Sequence, residues 1–182
     1  MIYYIADLHL HHKNILHMSR RPFADLDEMH RTIRQNWNAA VSPEDDVYLV
    51  GDVCFGFNGE IAGYIRNLPG RKHLIIGNHD RKYLEIQKFR DLFDSIDTYL
   101  MIEDEGRKVV LFHYPILEWD GYFRGWYHVY GHIHNNDGNF ANQLLKREEF
   151  RNAFNAGVDL NDFTPQTLYQ LIARKNSELT FS

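Results

Sequence analysis

Eleven histidines in a chain of 182 residues are unevenly placed. His9, His11, His12 and His17 crowd one stretch, and His113, His128, His132 and His134 another; neither run lies at a chain end, where an expression tag would sit. Among them stand Asp7, two positions before His9, then Gly51-Asp52, Gly77-Asn78-His79-Asp80, the lone His113, and Gly131-His132-Ile133-His134. Neutral imidazole and carboxylate are the usual ligands of divalent first-row metals, so this mixture points to metal chemistry. Each piece alone is weak. Gly-Asp is a common turn signal, Asn78 suits a turn with positive φ, and a solitary histidine such as His113 is more often a satisfied core residue. Gly131-His132-Ile133-His134 carries more, because side chains at i and i+2 of an extended segment point the same way. The cysteine or finger-spaced ligands of a closed structural zinc site are absent.

Short apolar runs alternate with amphipathic segments. The pattern predicts strands at Ile2–Ala6, Val47–Val50, Leu74–Ile76, Trp126–Tyr130 and Phe154–Val158, and a hairpin of Thr98–Ile102 with Lys108–Phe112. Helices are expected over Leu26–Ala40, around Ile61–Leu68 and Tyr83–Phe93, and from Pro165 onward with Thr164 as N-cap. Strand-helix alternation followed by a run of strands makes an α/β sandwich with a partly parallel sheet. Five apolar runs each end in a candidate ligand: Asp7/His9, Asp52, Asn78/His79, His113 and His132/His134. In open α/β sheets, ligands bind beyond the carboxyl ends of the strands, so five such ends would converge on one site.

Composition sets the outer limits. Apolar residues at 44% and charged residues at 25% are globular values, which excludes a disordered or fibrous chain. No repeat or linker divides the sequence, so one domain over residues 1–182 is expected. A net charge of −5 gives no bulk positive field toward duplex DNA or anionic lipid. The single Cys54 rules out an intrachain disulfide framework. The N-terminus turns polar at Asp7 without a basic segment before it, and no apolar run approaches a membrane span, so a cytoplasmic protein with no membrane partner is expected.

Taken together and in this order, Asp-x-His, Gly-Asp, Gly-Asn-His-Asp, a lone His and Gly-His-x-His resemble the signature of the calcineurin-like metallophosphoesterase superfamily, over residues 2 to 134. Asn155-Ala156-Gly157-Val158-Asp159 resembles a strand that often follows in these proteins, and Arg21-Pro22-Phe23 and His113-Tyr114-Pro115 resemble its short bacterial and phage members. The resemblance implies a four-layer α-β-β-α sandwich with two mixed sheets and two divalent metals at the strand edge. Asp7, His9 and His134 would bind the first metal, Asn78, His113 and His132 the second, and Asp52 would bridge both. It implies a hydroxide held between the metals as the attacking group, with His79 protonating the leaving group. Such general-acid help is typically worth about 10²–10⁴-fold. Mn²⁺, Fe, Co²⁺, Ni²⁺ or Zn²⁺ would all suit these donors, with Mn²⁺ the first expectation.

One position departs from the family. Many members carry Asp three residues after the bridging Asp, where it supports the catalytic histidine; here Phe55 stands there. Efficient attack on esters with poor leaving groups is thereby put in doubt. A phosphodiester or nucleotide is therefore favoured over a phosphomonoester, and the expected partner is a small phosphorylated substrate, a nucleotide or a short single-stranded nucleic acid. His12, Trp119 and Arg124 are candidate substrate contacts, with a solvated loop for His12 and core-edge packing for the aromatic loop Tyr114–Trp126 as the alternatives. The rival readings are a non-catalytic scaffold, which would not require every ligand position to be filled, and an amidohydrolase-like enzyme, whose barrel needs ~250 residues.

Overall fold

The computed structural model describes residues 1–180 and is an α/β protein with two four-stranded sheets and six α-helices. The first sheet takes β1 (Ile2–Ile5), β2 (Asp46–Leu49), β3 (Arg71–Ile75) and β4 (Ser95–Asp97) in that spatial order, every neighbouring pair parallel. Parallel neighbours need crossovers. Here these are α1 (Ile15–Met18) with α2 (Leu26–Ala40), α3 (Gly59–Arg66) and α4 (Gln87–Arg90). The second sheet is β5 (Tyr99–Asp104), β6 (Arg107–Phe112), β7 (Tyr127–Tyr130) and β8 (Ala153–Asn155). In it β5 and β6 form an antiparallel hairpin and the remaining pairs are parallel. α5 (Phe140–Leu145) lies between β7 and β8, and α6 (Leu168–Thr180) ends the described chain. Two mixed sheets were expected. The named strands of the first are purely parallel, and among the described residues its one antiparallel partner is the isolated Tyr4–Gln166 bridge.

Alternation of side chains across each strand divides the core into three clusters. Tyr3 and Ile5 of β1, Val47 and Leu49 of β2, and Leu74 of β3 face α2 and α3, meeting Met29, Ile33, Trp37, Ile61 and Ile65. Their neighbours Tyr4, Ala6, Val50 and Ile75 face the second sheet, where they join Val109, Leu111, Val129 and Phe154. Val110, Tyr130 and Ala153 point to the far side of that sheet, under Trp119, Leu145 and Phe150. The two sheets are thus pinned at fixed depth, and with them the ends of their strands.

Three expected helices or strands differ. The Tyr83–Phe93 helix is instead a 3₁₀ turn at Arg81–Tyr83 and the short α4, parted by extended Ile86. Tertiary packing overrides propensity there: the Tyr83 hydroxyl accepts from Gly56 N at 2.5 Å, while Phe89 fills the core. The C-terminal helix begins at Leu168, three residues after Pro165. Its cap is Thr167, whose Oγ1 accepts from Gln170 N at 3.3 Å while Gln170 Oε1 accepts from Thr167 N at 2.8 Å; this reciprocal box displaces Thr164 from that role. The last strand stops at Asn155 because the chain turns there to pair Ala6, which it brackets through Ala6 N–Ala156 O and Val158 N–Ala6 O.

Candidate metal centre

Beyond β1, β2, β3, β6 and β7 the chain leaves the sheets and its polar residues converge. Asp7, His9, Asp52, His132 and His134 all adopt positive φ, between 48° and 72°. Left-handed backbone is costly for residues other than glycine and clusters where the surrounding structure enforces it at functional sites. The enforcement is visible. Asp7 N, His9 N and Leu10 N bond to the carbonyls of Gly51, Asp52 and Val53, each at 3.0 Å, so the loops after β1 and β2 run side by side. His132 N donates to both oxygens of Asp7, at 3.1 and 2.9 Å, and His79 N donates to Asp52 Oδ1 at 2.9 Å.

The glycines of the motifs let these loops touch. A Cβ on Gly51 would come within 2.2 Å of His113 Nδ1, and its φ of 88° already disfavours other residues. On Gly131 a Cβ would stand 2.7 Å from Asp7 Oδ2.

Three groups of side chains have ligand atoms within 4.8 Å of one another: Asp7, His9 and His134; His9, Asp52 and His79; Asp52, His113 and His132. His9 joins the first two groups and Asp52 the last two. Asn78 reaches the same place, its Oδ1 lying 3.2 Å from His113 Nε2. All seven expected ligand positions therefore meet in one cluster. His79 meets them too: its Nε2 is 3.9 Å from Asp52 Oδ2, so proximity alone does not set it apart from the ligands. Both ring nitrogens of buried His9 lack any hydrogen-bond partner. A buried polar group without a partner calls for an explanation, and a role in ligating a cation supplies one. The donor set of imidazole, carboxylate and amide fits a divalent metal.

Hydrogen bonds aim the rings. His113 Nδ1 lies 2.8 Å from the Val50 carbonyl, and His134 Nδ1 lies 2.6 Å from Asp159 Oδ2, so in each case the acceptor takes the Nδ1 proton and Nε2 is left to face the cluster. Burial pushes His9 down to about 2, keeping it neutral, and lifts Asp7 to about 6 against the pull of His134 and His113. Burial works against charge on Asp52 and His113 as well, but their attraction, with His113 Nε2 3.5 Å from Asp52 Oδ2, wins, drawing Asp52 to about 2 and His113 up to about 9. Histidine ligates a metal only through an unprotonated ring nitrogen, so a cation held by His113 would compete with a proton there.

The expected substrate residues divide. His12 lies beside the cluster, its ring 5.4 Å from His9 and stacked on Phe55 at 4.3 Å. Phe55 also meets His79 edge-on at 5.5 Å and carries Lys82 Nζ over its ring at 4.3 Å, so at position 55 an aromatic ring stands beside His79. Trp119 is turned inward: it is 6% exposed, donates Nε1 to the Trp126 carbonyl at 3.0 Å and packs on Tyr122 and His128. At that exposure the ring is packing at the core edge, the alternative weighed for this loop. Arg124 is exposed on the 3₁₀ turn Tyr122–Arg124. His128 parts from its neighbours in sequence and is buried on the far side of the second sheet.

Four contributors had no role in the sequence reading. Tyr114 packs against His132 at 4.6 Å and His113 at 5.1 Å. Buried Asp80 accepts from the backbone N–H groups of Asp52, Val53 and Gly77 at 2.8, 3.0 and 2.9 Å, tying the loop after β2 to the loop after β3. Arg21 and Asp159 pair at 2.7 Å behind Asp7 and His134. Asp80, Arg21 and Asp159 all sit inside quoted motifs, but only contacts reveal what they hold. A cavity of about 240 Å³ is lined by His132 and His134 with Ile15, Met18, Ser19, Asn135 and Asn139.

The fold and the cluster define an α/β protein whose parallel strands end in Asp and His groups able to hold metal ions. By sequence the chain is 32% identical over 169 residues to the uncharacterized protein MJ1445 of Methanocaldococcus jannaschii, covering 92% of this chain and 86% of that one, and it belongs to the same family. The Gene 66 protein of Mycobacterium phage L5 is 27% identical, with 86% of each chain covered. The crystal structure of AQ665 from Aquifex aeolicus, a protein of unknown function, aligns over 98% of both chains at a TM-score of 0.73 and 29% identity. No established family model matches the chain.

Proposed function

We propose that this protein is a dinuclear metal-dependent phosphoric ester hydrolase built on the four-layer metallophosphoesterase sandwich, acting on a phosphodiester or nucleotide. The observation that carries the reading is the chain of three ligand groups linked through His9 and Asp52, together with the unpartnered nitrogens of His9. Asp7, His9 and His134 would hold one cation and Asn78, His113 and His132 the other, with Asp52 shared. Bound there, two divalent ions would supply positive charge to the phosphoryl oxygens and acidify a water to near neutrality. Only Asp7 and Asp52 among these ligands bring negative charge, so the site would stay net positive toward an anion, whatever the overall −5. More distant acidic groups are screened beyond about 8 Å.

His79 is the proton donor in this reading. Its backbone N–H is fixed on Asp52, and its side chain is a third exposed beside the cluster, unlike the buried rings of His9 and His113. The Phe55 ring restrains it by contact without adding charge. Apart from His132 and His134, the cavity beside them is lined by uncharged side chains, three of them asparagines, which suits an uncharged polar leaving group such as a nucleoside better than a polyanion. Manganese is the metal to try first.

The test is turnover by protein stripped of metal and reloaded with each candidate ion. Bis-p-nitrophenyl phosphate, p-nitrophenyl phosphate, 2′,3′-cyclic nucleotides and short single-stranded oligonucleotides form the substrate panel. The reading requires two equivalents of bound metal and a diester preference. Metal-independent turnover, or none with any ion, would refute it.

A further inference from the structure

The two halves of the cluster rest on different buried supports. The guanidinium of Arg21 forks three ways. Nε donates to Asp159 Oδ1 at 2.7 Å, and the terminal nitrogens donate to the Asp7 carbonyl at 2.7 Å and the Leu8 carbonyl at 2.9 Å. The other oxygen of Asp159 holds His134 Nδ1 at 2.6 Å. One cation thereby spans the left-handed loop that carries Asp7 and His9 and, through Asp159, the loop that carries His134. Its hydrogen bonds reach none of Asp52, His113 or His132. Asp80 does the converse, gripping Asp52, Val53 and Gly77 and nothing on the Asp7 side.

We propose that Arg21 and Asp159 are positioning residues for one metal position, that of Asp7, His9 and His134, whereas Asp80 fixes the backbone at Asp52, Val53 and Gly77 on the other side of the cluster. The inference rests on the two-metal reading above. The side chains of Arg21 and Asp159 are 0% and 1% exposed. A buried ion pair is retained at a desolvation cost that only well-matched hydrogen bonds offset, and here the guanidinium also satisfies two carbonyls that the strained loop turns inward. Because the pair is net neutral, its expected effect is orientation of ligands more than added field. Partners that orient metal-binding histidines typically change metal affinity by about 10–100-fold.

The experiment is a Mn²⁺ titration of metal-free protein, with free Mn²⁺ counted by electron paramagnetic resonance. Wild type should bind two equivalents; fewer than two would overturn the two-metal reading itself. Asp159→Asn should weaken one equivalent by about 10–100-fold and leave the other unchanged. In a His134→Ala background it should have no further effect, whereas in His113→Ala its effect should persist in full, as residues acting through one another require. Arg21→Gln separates orientation from charge. It leaves Asp159 as an uncancelled anion, so weaker binding supports the proposal and tighter binding overturns it. Equal weakening of both equivalents, or full additivity with His134→Ala, would also overturn it. If near-ultraviolet circular dichroism shows Asp159→Asn unfolded, Arg21→Lys, which keeps the charge and loses the fork, carries the same expectation.

Discussion

Replacing Asp80 should cost stability in an order fixed by its hydrogen bonds. The carboxylate is fully buried; Oδ2 accepts from Asp52 N and Gly77 N, and Oδ1 accepts from Val53 N. Asp80→Ala strands three buried N–H donors, each worth about 1–3 kcal/mol of desolvation. Water entering the space left by the side chain would recover part of this, so a net loss of about 3–6 kcal/mol is expected, a large share of a typical 5–15 kcal/mol. Asp80→Asn can keep its oxygen where two donors meet and lose only the bond to Val53, for about 1–3 kcal/mol. Urea denaturation of the metal-free variants at neutral pH, with m unchanged, measures both values. The order should be wild type, then Asn, then Ala. Losses below 0.5 kcal/mol for Ala, or Asn falling below Ala, would refute the idea that these bonds hold the two loops together.

Further outcomes follow from the same geometry. His79→Ala should keep two metals while losing about 10²–10⁴-fold in turnover of alkyl esters and little for p-nitrophenyl esters; loss of a metal equivalent would make His79 a ligand instead. Asp52→Asn should lose at least one metal together with activity, read by elemental analysis. Trp119→Ala should lower stability by about 3 kcal/mol through lost packing and leave KM for every substrate in the panel unchanged. Burial lowers His128 to about 4. From about 6.5 down to 4 the unfolded chain therefore takes up a proton that the native protein refuses, and stability falls with pH across that window by up to about 3 kcal/mol. In His128→Gln that part of the acid slope should vanish, as urea melts from pH 7 to 4 would show.

The motifs alone determined which residues meet. Asp7, His9, Asp52, Asn78, His113, His132 and His134 each follow an apolar run, and parallel strands must deliver such ends to one edge, so the cluster was legible without coordinates. The long helix Leu26–Ala40 was equally legible, because its apolar face repeats with the helical period; its Asp25 cap was seen only in the structure. Short segments were not. The break at Ile86, the start of the last helix at Leu168 and the end of β8 at Asn155 depend on which partner the backbone finds in space, and that outweighs local propensity over a few residues. Tertiary structure also decided the direction of individual rings. Trp119 and His128 have compositionally promising neighbours yet point into the outer core, since side chains alternate across a strand and a loop must bury its largest ring. The supports behind the cluster were decided there too. Arg21, Asp80 and Asp159 lie 14, 28 and 25 positions from the residues they hold, Asp7, Asp52 and His134, and a buried charge announces its partner only when the chain has folded around both.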